Sequence, residues 1–196
     1  VQANLRSKDE VIPIVQRVKD QEFKSIFISH KSNNFTTLSD LKNKTFSFGS
    51  PSSTSGHLMP RYFLIKEGIY VDDFFKRVAF SGAHDATIFS VLSKKVDAGV
   101  VNELIWKKFK SQNKDIADNI DVIFETPPYY DYNWSTSKSI DINIREKIKQ
   151  AFLKLDIKNK VHKEILDLQR ATKFIETKKN NYDAIKQAAF EAKLID

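Results

Sequence analysis

The chain of 196 residues contains no cysteine, so neither a disulfide framework nor a zinc-thiolate site is open to it, and thiols give no reading of redox compartment. That absence is compatible with export. No run of about 18 apolar residues occurs, so no membrane-spanning helix is read from the sequence. The opening VQANLRSKDE lacks the basic-then-apolar pattern of a signal peptide, and a targeting segment is therefore expected to be absent from this sequence. The four histidines show no i, i+4 pairing near acids, which gives no metal motif. Internal repeats and low-complexity segments are also lacking.

What is present is a globular composition, 41% hydrophobic, long enough to bury one core or two small lobes. The formal net charge is +7, yet the lysines are scattered among acids instead of forming a stripe, which argues against nucleic acid as a partner. A positive field of this kind raises the encounter rate with small anions without any dedicated patch.

Residues 45–62, TFSFGSPSSTSGHLMPRY, organise the reading. The alternation of Thr45, Phe46, Ser47 and Phe48 predicts a strand, Gly49 and Pro51 a turn, and Leu58, Met59, Tyr62, Phe63 and Ile65 the apolar face of a helix that Gly68 stops. The first N–H groups of a helix have no internal partner and carry partial positive charge. Ser53, Thr54 and Ser55 add hydroxyl donors there, and Gly56 permits close approach, so a tetrahedral oxyanion fits the turn. Ordinary N-capping by one of these residues is the competing reading. Pro60 cannot donate to the Gly56 carbonyl, and the helix is expected to be bent or open near its start.

Before this stretch, Val11–Val18 and Phe23–Ser29 read as strands and Leu38–Leu41 as one helical turn. After it, the strand Lys76–Phe80, the helix Ala83–Lys94, the strand Val96–Val101 and the helix Glu103–Phe109 continue a strand-then-helix alternation that predicts βαβ units. Asp121–Glu125 is a further strand. Beyond Ile140 the pattern is helical throughout, with no strand expected. In such sheets ligands sit at the carboxyl ends of strands, where the hydroxyl turn, Ser81–Asp85 and Asn102-Glu103 all fall.

His84 and Asp85 open the second helix, so the imidazole can face the same crevice as the serines; the alternative is a capping Asp beside a surface His. Glu103 has the same crevice-facing position, or is a solvated first-turn acid that complements the dipole. Asp131 lies among Tyr129, Tyr130, Tyr132 and Trp134, where a carboxylate is either bonded to tyrosine hydroxyls or awaits a ligand donor or cation. Ser, His and Asp together admit a hydrolase, but PSSTSG is not a G-x-S-x-G elbow, and several equivalent hydroxyls suit binding better than one activated nucleophile.

Taken together, TFSFGSPSSTSGHLMPRYFLIKEGI, FSGAHDATIFSVLSKKVDAGVVNE and PPYYDYNW resemble the phosphonate- and phosphite-binding proteins of ABC importers, and the spacing of NNYDAIKQAAFEAKL fits as well. The resemblance implies an α/β fold of the periplasmic-binding-protein type II class, with one complete lobe plus part of a second carrying C-terminal helices. It implies residues 1–31 as the end of lobe one and a hinge strand, 32–135 as lobe two with the oxyanion site, and 136–196 as the return hinge and a helical tail. Family members carry roughly another half domain before the point where this sequence opens, so the leading part of lobe one is expected to be missing. By motif position, Ser53, Thr54, Ser55 and His84 would hold the phosphorus oxyanion. Glu103 and Asp131 match positions that contact the amino group in aminoalkylphosphonate binders, and the segment containing Tyr132 looks like the branch for small ligands such as phosphite or methylphosphonate. The implied role is the non-enzymatic substrate-binding component of an importer, with a permease as partner, no cofactor and no metal, in the periplasm or another extracytoplasmic location, with or without a membrane anchor. A ligand-binding sensor domain of a membrane receptor with the same fold is the alternative.

Overall fold

A computed structural model describes residues 10–191. It divides into two compact units, one built from residues up to Phe23 with Pro128–Lys186, the other from Lys24–Pro127 with residues from Gln187 onward. The breaks come earlier than the boundaries at 31/32 and 135/136 expected from sequence.

The larger unit is built on a five-stranded sheet in the order β4-β3-β5-β2-β6, with β2 Ser25–His30, β3 Thr45–Phe48, β4 Arg77–Phe80, β5 Ala98–Asn102 and β6 Ile120–Glu125. β3 runs parallel to both β4 and β5, as the strand-helix alternation requires, whereas β2 is antiparallel to both of its neighbours. β2, which the sequence reading groups with lobe one, therefore lies inside this sheet. Its residues explain why: Ile26, Phe27 and Ile28 are all buried, the signature of a strand covered on both faces.

Side-chain alternation then sorts the core into two layers. Phe27, Phe46, Phe48, Ala98 and Val100 pack on one face with Leu64, Ile69 and Phe75; Ile26, Ile28 and Val101 pack on the other with Ile88, Val91, Trp106 and Phe109. Phe46 and Phe75 stack with centroids 4.6 Å apart. Each such buried aromatic contributes on the order of 1.5–3 kcal/mol through the area removed from water. Gly99 in β5 lets the helix His84–Leu92 approach closely, since a Cβ there would lie 2.6 Å from Thr87 Cγ2 and 3.1 Å from the Ser47 carbonyl oxygen.

The smaller unit carries an antiparallel sheet in the order β7-β1-β8, with β1 Val11–Arg17, β7 Trp134–Ser137 and β8 Phe174–Glu176. Ile14, Val15, Leu166, Ala171 and Phe174 form its core, and Trp134 and Phe152 each bring a ring within 4.9 Å of the Phe174 ring. β8 corrects the expectation of a wholly helical tail. The helices Ile142–Leu153 and Lys160–Leu168 do form, but Phe174–Glu176 then pairs with β1. Three residues are too few to show a period of two, so only the partner strand defines them.

Candidate functional site

The larger unit brings three helical starts to the carboxyl ends of its three parallel strands. β3 ends at Phe48 before the turn that opens at Ser53, β4 at Phe80 before the helix His84–Leu92, and β5 at Asn102 before the helix Glu103–Gln112. The ladder runs on past the strands, with Ser81 N–H donating to the Phe48 carbonyl at 3.0 Å and Gly82 N–H to the Gly49 carbonyl at 3.1 Å. This fixes the β4 loop beside the β3 loop.

The hydroxyl turn is a short π-helical segment, Thr54–Leu58, which passes into an α-helix at Met59. Pro60 accounts for this shape. It takes one of the first α-helical positions, where a missing N–H costs nothing, and the carbonyl it cannot serve, that of Gly56, accepts instead from Gly49 N–H at 2.8 Å. The helix is thus displaced by a wider turn at its start and is not broken. The other carbonyls are also engaged: Ser53 O accepts from His57 and Leu58 N–H at 3.1 and 3.0 Å, Thr54 O from Met59 N–H, and Ser55 O from Ser25 Oγ at 2.7 Å.

With its acceptors occupied, the turn presents donors. Ser53 is the N-cap, its Oγ accepting from Gly56 N–H at 2.9 Å, so capping holds for this residue while its hydroxyl proton remains to donate. The N–H groups of Thr54 and Ser55 have no hydrogen-bond acceptor among the described residues. Ser55 is buried, and its Oγ lies 3.4 Å from Asn102 Nδ2, which leaves its hydroxyl hydrogen directed elsewhere. A Cβ on Gly56 would meet Ser53 Oγ at 2.9 Å, His84 Cε1 at 3.1 Å and Gly49 Cα at 3.3 Å. Glycine there is what lets the serine and the imidazole converge.

His84 is half-buried rather than a surface residue, and its Nδ1 accepts from the Asn102 backbone N–H at 3.2 Å. That bond places the ring proton on Nε2, which becomes a donor. Burial lowers the histidine pKa against a smaller opposing pull from Asp85, so the ring is neutral near pH 7. Asp85 itself caps Ala86 N–H at 2.9 Å. No carboxylate orients His84 among the described residues, so the Ser-His-Asp arrangement of a hydrolase is not assembled.

Asn102 is the residue the sequence reading located but did not interpret. It is 4% exposed; its backbone N–H fixes the His84 tautomer, its Nδ2 reaches Ser55, and its Oδ1 accepts from Leu104 and Ile105 N–H at 2.8 and 3.1 Å. An Asn directly before a helix is a visible capping signal, but its link to His84 runs through the backbone and leaves no mark on the sequence. Glu103 sits beside it and forms an ion pair with Lys107 one turn on, the arrangement of a first-turn acid.

Asp131 and Tyr132 belong to the smaller unit, whereas Ser53, Thr54, Ser55, His84 and Glu103 belong to the larger one. Asp131 is 9% exposed, its Oδ2 has no hydrogen-bond partner among the described residues, and its N–H donates to the Asp20 carbonyl at 3.0 Å. Burial, aided by the nearby Asp20 charge and opposed by Arg17, pushes its pKa up to about 7. Tyr132 is half-exposed, with its ring edge-on to Phe23 and under the Arg17 guanidinium at 5.3 Å. Arg17 forks onto Asp20 with two 2.7 Å bonds.

Comparison with known proteins identifies the family. Residues 1–182 match the family described as the phosphonate periplasmic substrate-binding protein of ABC transporters. The chain is 39% identical over 198 residues to a probable ABC transporter phosphite-binding protein, PhnD1, of Prochlorococcus marinus strain MIT 9301, an alignment covering 95% of this chain and 66% of that protein. It is 33% identical over 108 residues to the phosphonates-binding periplasmic protein of Escherichia coli K12, covering 53% of this chain and 31% of that one. The structure of the Prochlorococcus protein in complex with methylphosphonate superposes with a TM-score of 0.87 at 36% identity, over 99% of this chain and 75% of the other. The chain thus spans about two thirds of the length of the first of these relatives and about a third of the second. A donor-lined turn at the ends of three parallel strands and a family match over nearly the whole sequence lead to one conclusion: the chain belongs to the phosphonate-binding family of periplasmic substrate-binding proteins of ABC transporters.

Proposed function

We propose that this protein captures a phosphorus oxyanion, phosphite or a small phosphonate such as methylphosphonate, and delivers it to the permease of an ABC importer, without covalent chemistry. The observation that carries the reading is the Ser53–Gly56 turn, where backbone N–H groups, hydroxyls and the His84 Nε2–H supply donors while the carbonyls are already bonded. A site of donors suits a fully ionised oxyanion. The two compact units correspond in this reading to the two lobes of the family fold, the larger one holding the oxyanion. The family description favours a transporter component over a sensor, and extracytoplasmic action follows from it.

Calorimetric titration with phosphite, methylphosphonate, aminoethylphosphonate and phosphate ranks the ligands; heat from none of the four would end the proposal. Thr54→Ala removes one hydroxyl donor and is expected to weaken binding by about 1–3 kcal/mol, the range for a hydrogen bond lost to a charged group. Unchanged affinity would reduce the turn to a helix cap.

Glu103, Asp131 and Tyr132 are assigned to recognition of the substituent. Asp131→Asn is expected to change which ligand is preferred more than whether the oxyanion binds, and equal losses across the ligand series would contradict that division. The same variant has a ligand-free signature. Because the folded pKa of Asp131, about 7, lies above its unfolded value, the folded state holds the extra proton between about pH 4 and 7 and wild-type stability falls as pH rises through that window. Thermal melts of Asp131→Asn should lack this fall.

A further inference from the structure

His57 lies within the hydroxyl turn, is 2% exposed, and has no part in the function derived above. Its Nδ1 is 2.8 Å from the Pro51 carbonyl oxygen. A carbonyl only accepts, so Nδ1 carries the proton and donates. Nε2 is then left as an acceptor, and it is buried with no hydrogen-bond partner among the described residues. The ring stands edge-on to Phe48 and Phe80, with both centroids at 4.8 Å, and so touches the last residues of β3 and β4. Burial lowers its pKa, opposed by the Pro51 bond and assisted by Arg61, so the ring is neutral.

This arrangement is costly as packing alone. A buried acceptor without a donor destabilises the fold, and phenylalanine would fill the same aromatic niche without that cost. What only the imidazole supplies is the bond to Pro51, a residue of the exposed loop on which the oxyanion donors are mounted. Within the loop, Ser53 N–H donates to the Ser50 carbonyl at 3.0 Å, Ser52 N–H to Ser50 Oγ at 3.4 Å and Gly56 N–H to Ser53 Oγ, while the Ser53 carbonyl accepts from His57 and Leu58 N–H. The His57 bond ties it to the strand ends from beneath.

We propose that His57 is a positioning residue of the oxyanion turn: by holding the Pro51 carbonyl it fixes Ser50–Ser53 against the ends of β3 and β4, and so sets the direction of the Thr54 and Ser55 N–H groups. It acts through Pro51 and not on the ligand. The inference rests on the proposed oxyanion function.

Two substitutions separate the bond from the packing. His57→Phe keeps the ring and loses the donor, whereas His57→Asn keeps a donor near the Nδ1 position and loses the ring. Methylphosphonate titration is expected to show His57→Phe at least tenfold weaker than wild type with an unchanged or higher Tm, and His57→Asn within about threefold of wild type despite a lower Tm. Without ligand, hydrogen exchange at the Ser53 and Gly56 amides should quicken at least tenfold in His57→Phe and stay near wild type in His57→Asn. Affinity and exchange in His57→Phe that match wild type, or losses in both variants that follow Tm, would overturn the assignment. A wild-type chain that ignores methylphosphonate overturns the functional reading instead, and the exchange data then still decide whether His57 fixes the loop.

Discussion

Replacing His84 with alanine should weaken methylphosphonate binding by about 10- to 150-fold, the equivalent of about 1.5–3 kcal/mol for a hydrogen bond to a charged group. The Asn102 N–H holds the ring in the tautomer that puts a proton on Nε2, so the imidazole donates without bringing a full positive charge. Alanine also strands that N–H at a residue that is 4% exposed, which adds a stability cost of about 1–3 kcal/mol. His84→Asn separates the two effects, because an amide oxygen near the Nδ1 position can still accept from Asn102 while the Nε2 donor is gone. The expected outcome is a Tm near wild type and an affinity as poor as that of alanine. Wild-type affinity in both variants would place His84 outside the site.

Arg17→Met should produce the largest loss of stability, about 3–5 kcal/mol, measurable by denaturant or thermal unfolding. Asp20 is fully buried, and the Arg17 side chain is 11% exposed and forks onto it through Nε and Nη2, both at 2.7 Å. Nη1 reaches the Gln169 carbonyl at 3.0 Å, and the guanidinium also covers Tyr132 and Trp134. Removing the arginine leaves a buried carboxylate without its ion-pair partner. It also removes the charge that lowers the Asp131 pKa, so Asp131 should bind its proton more tightly still. The double variant Arg17→Met, Asp20→Leu is expected to recover most of the loss, since an apolar pair of similar volume often replaces a buried ion pair at little net cost. A single variant as stable as wild type would show that the pair contributes little.

The parts of this molecule that sequence reasoning reached are those written in local pattern. The alternation through Thr45–Phe48 and the Ser-Ser-Thr-Ser run announce a strand and a donor-rich helix start, and Pro60 signals that the start is unusual. That the turn widens to a π segment was not legible, because the relief comes from Gly49 bonding the Gly56 carbonyl across the turn. Glu103 is paired with Lys107 at a spacing that is visible in the sequence. The tautomer of His84, the wedge of His57 between two phenylalanines and the bond from Ser25 Oγ to the Ser55 carbonyl join residues far apart in the chain or act through the backbone. β8 escaped for a related reason, since three residues become a strand only through β1.

The proposed function requires an anion to sit on the N–H groups of Thr54 and Ser55. The most direct measurement is a titration of the amide-assigned protein with methylphosphonate followed by NMR. Saturable shifts are expected at the Thr54 and Ser55 amides together with the His84 Nε2–H, following one dissociation constant. Saturable binding that leaves those three resonances unmoved while others shift would contradict it.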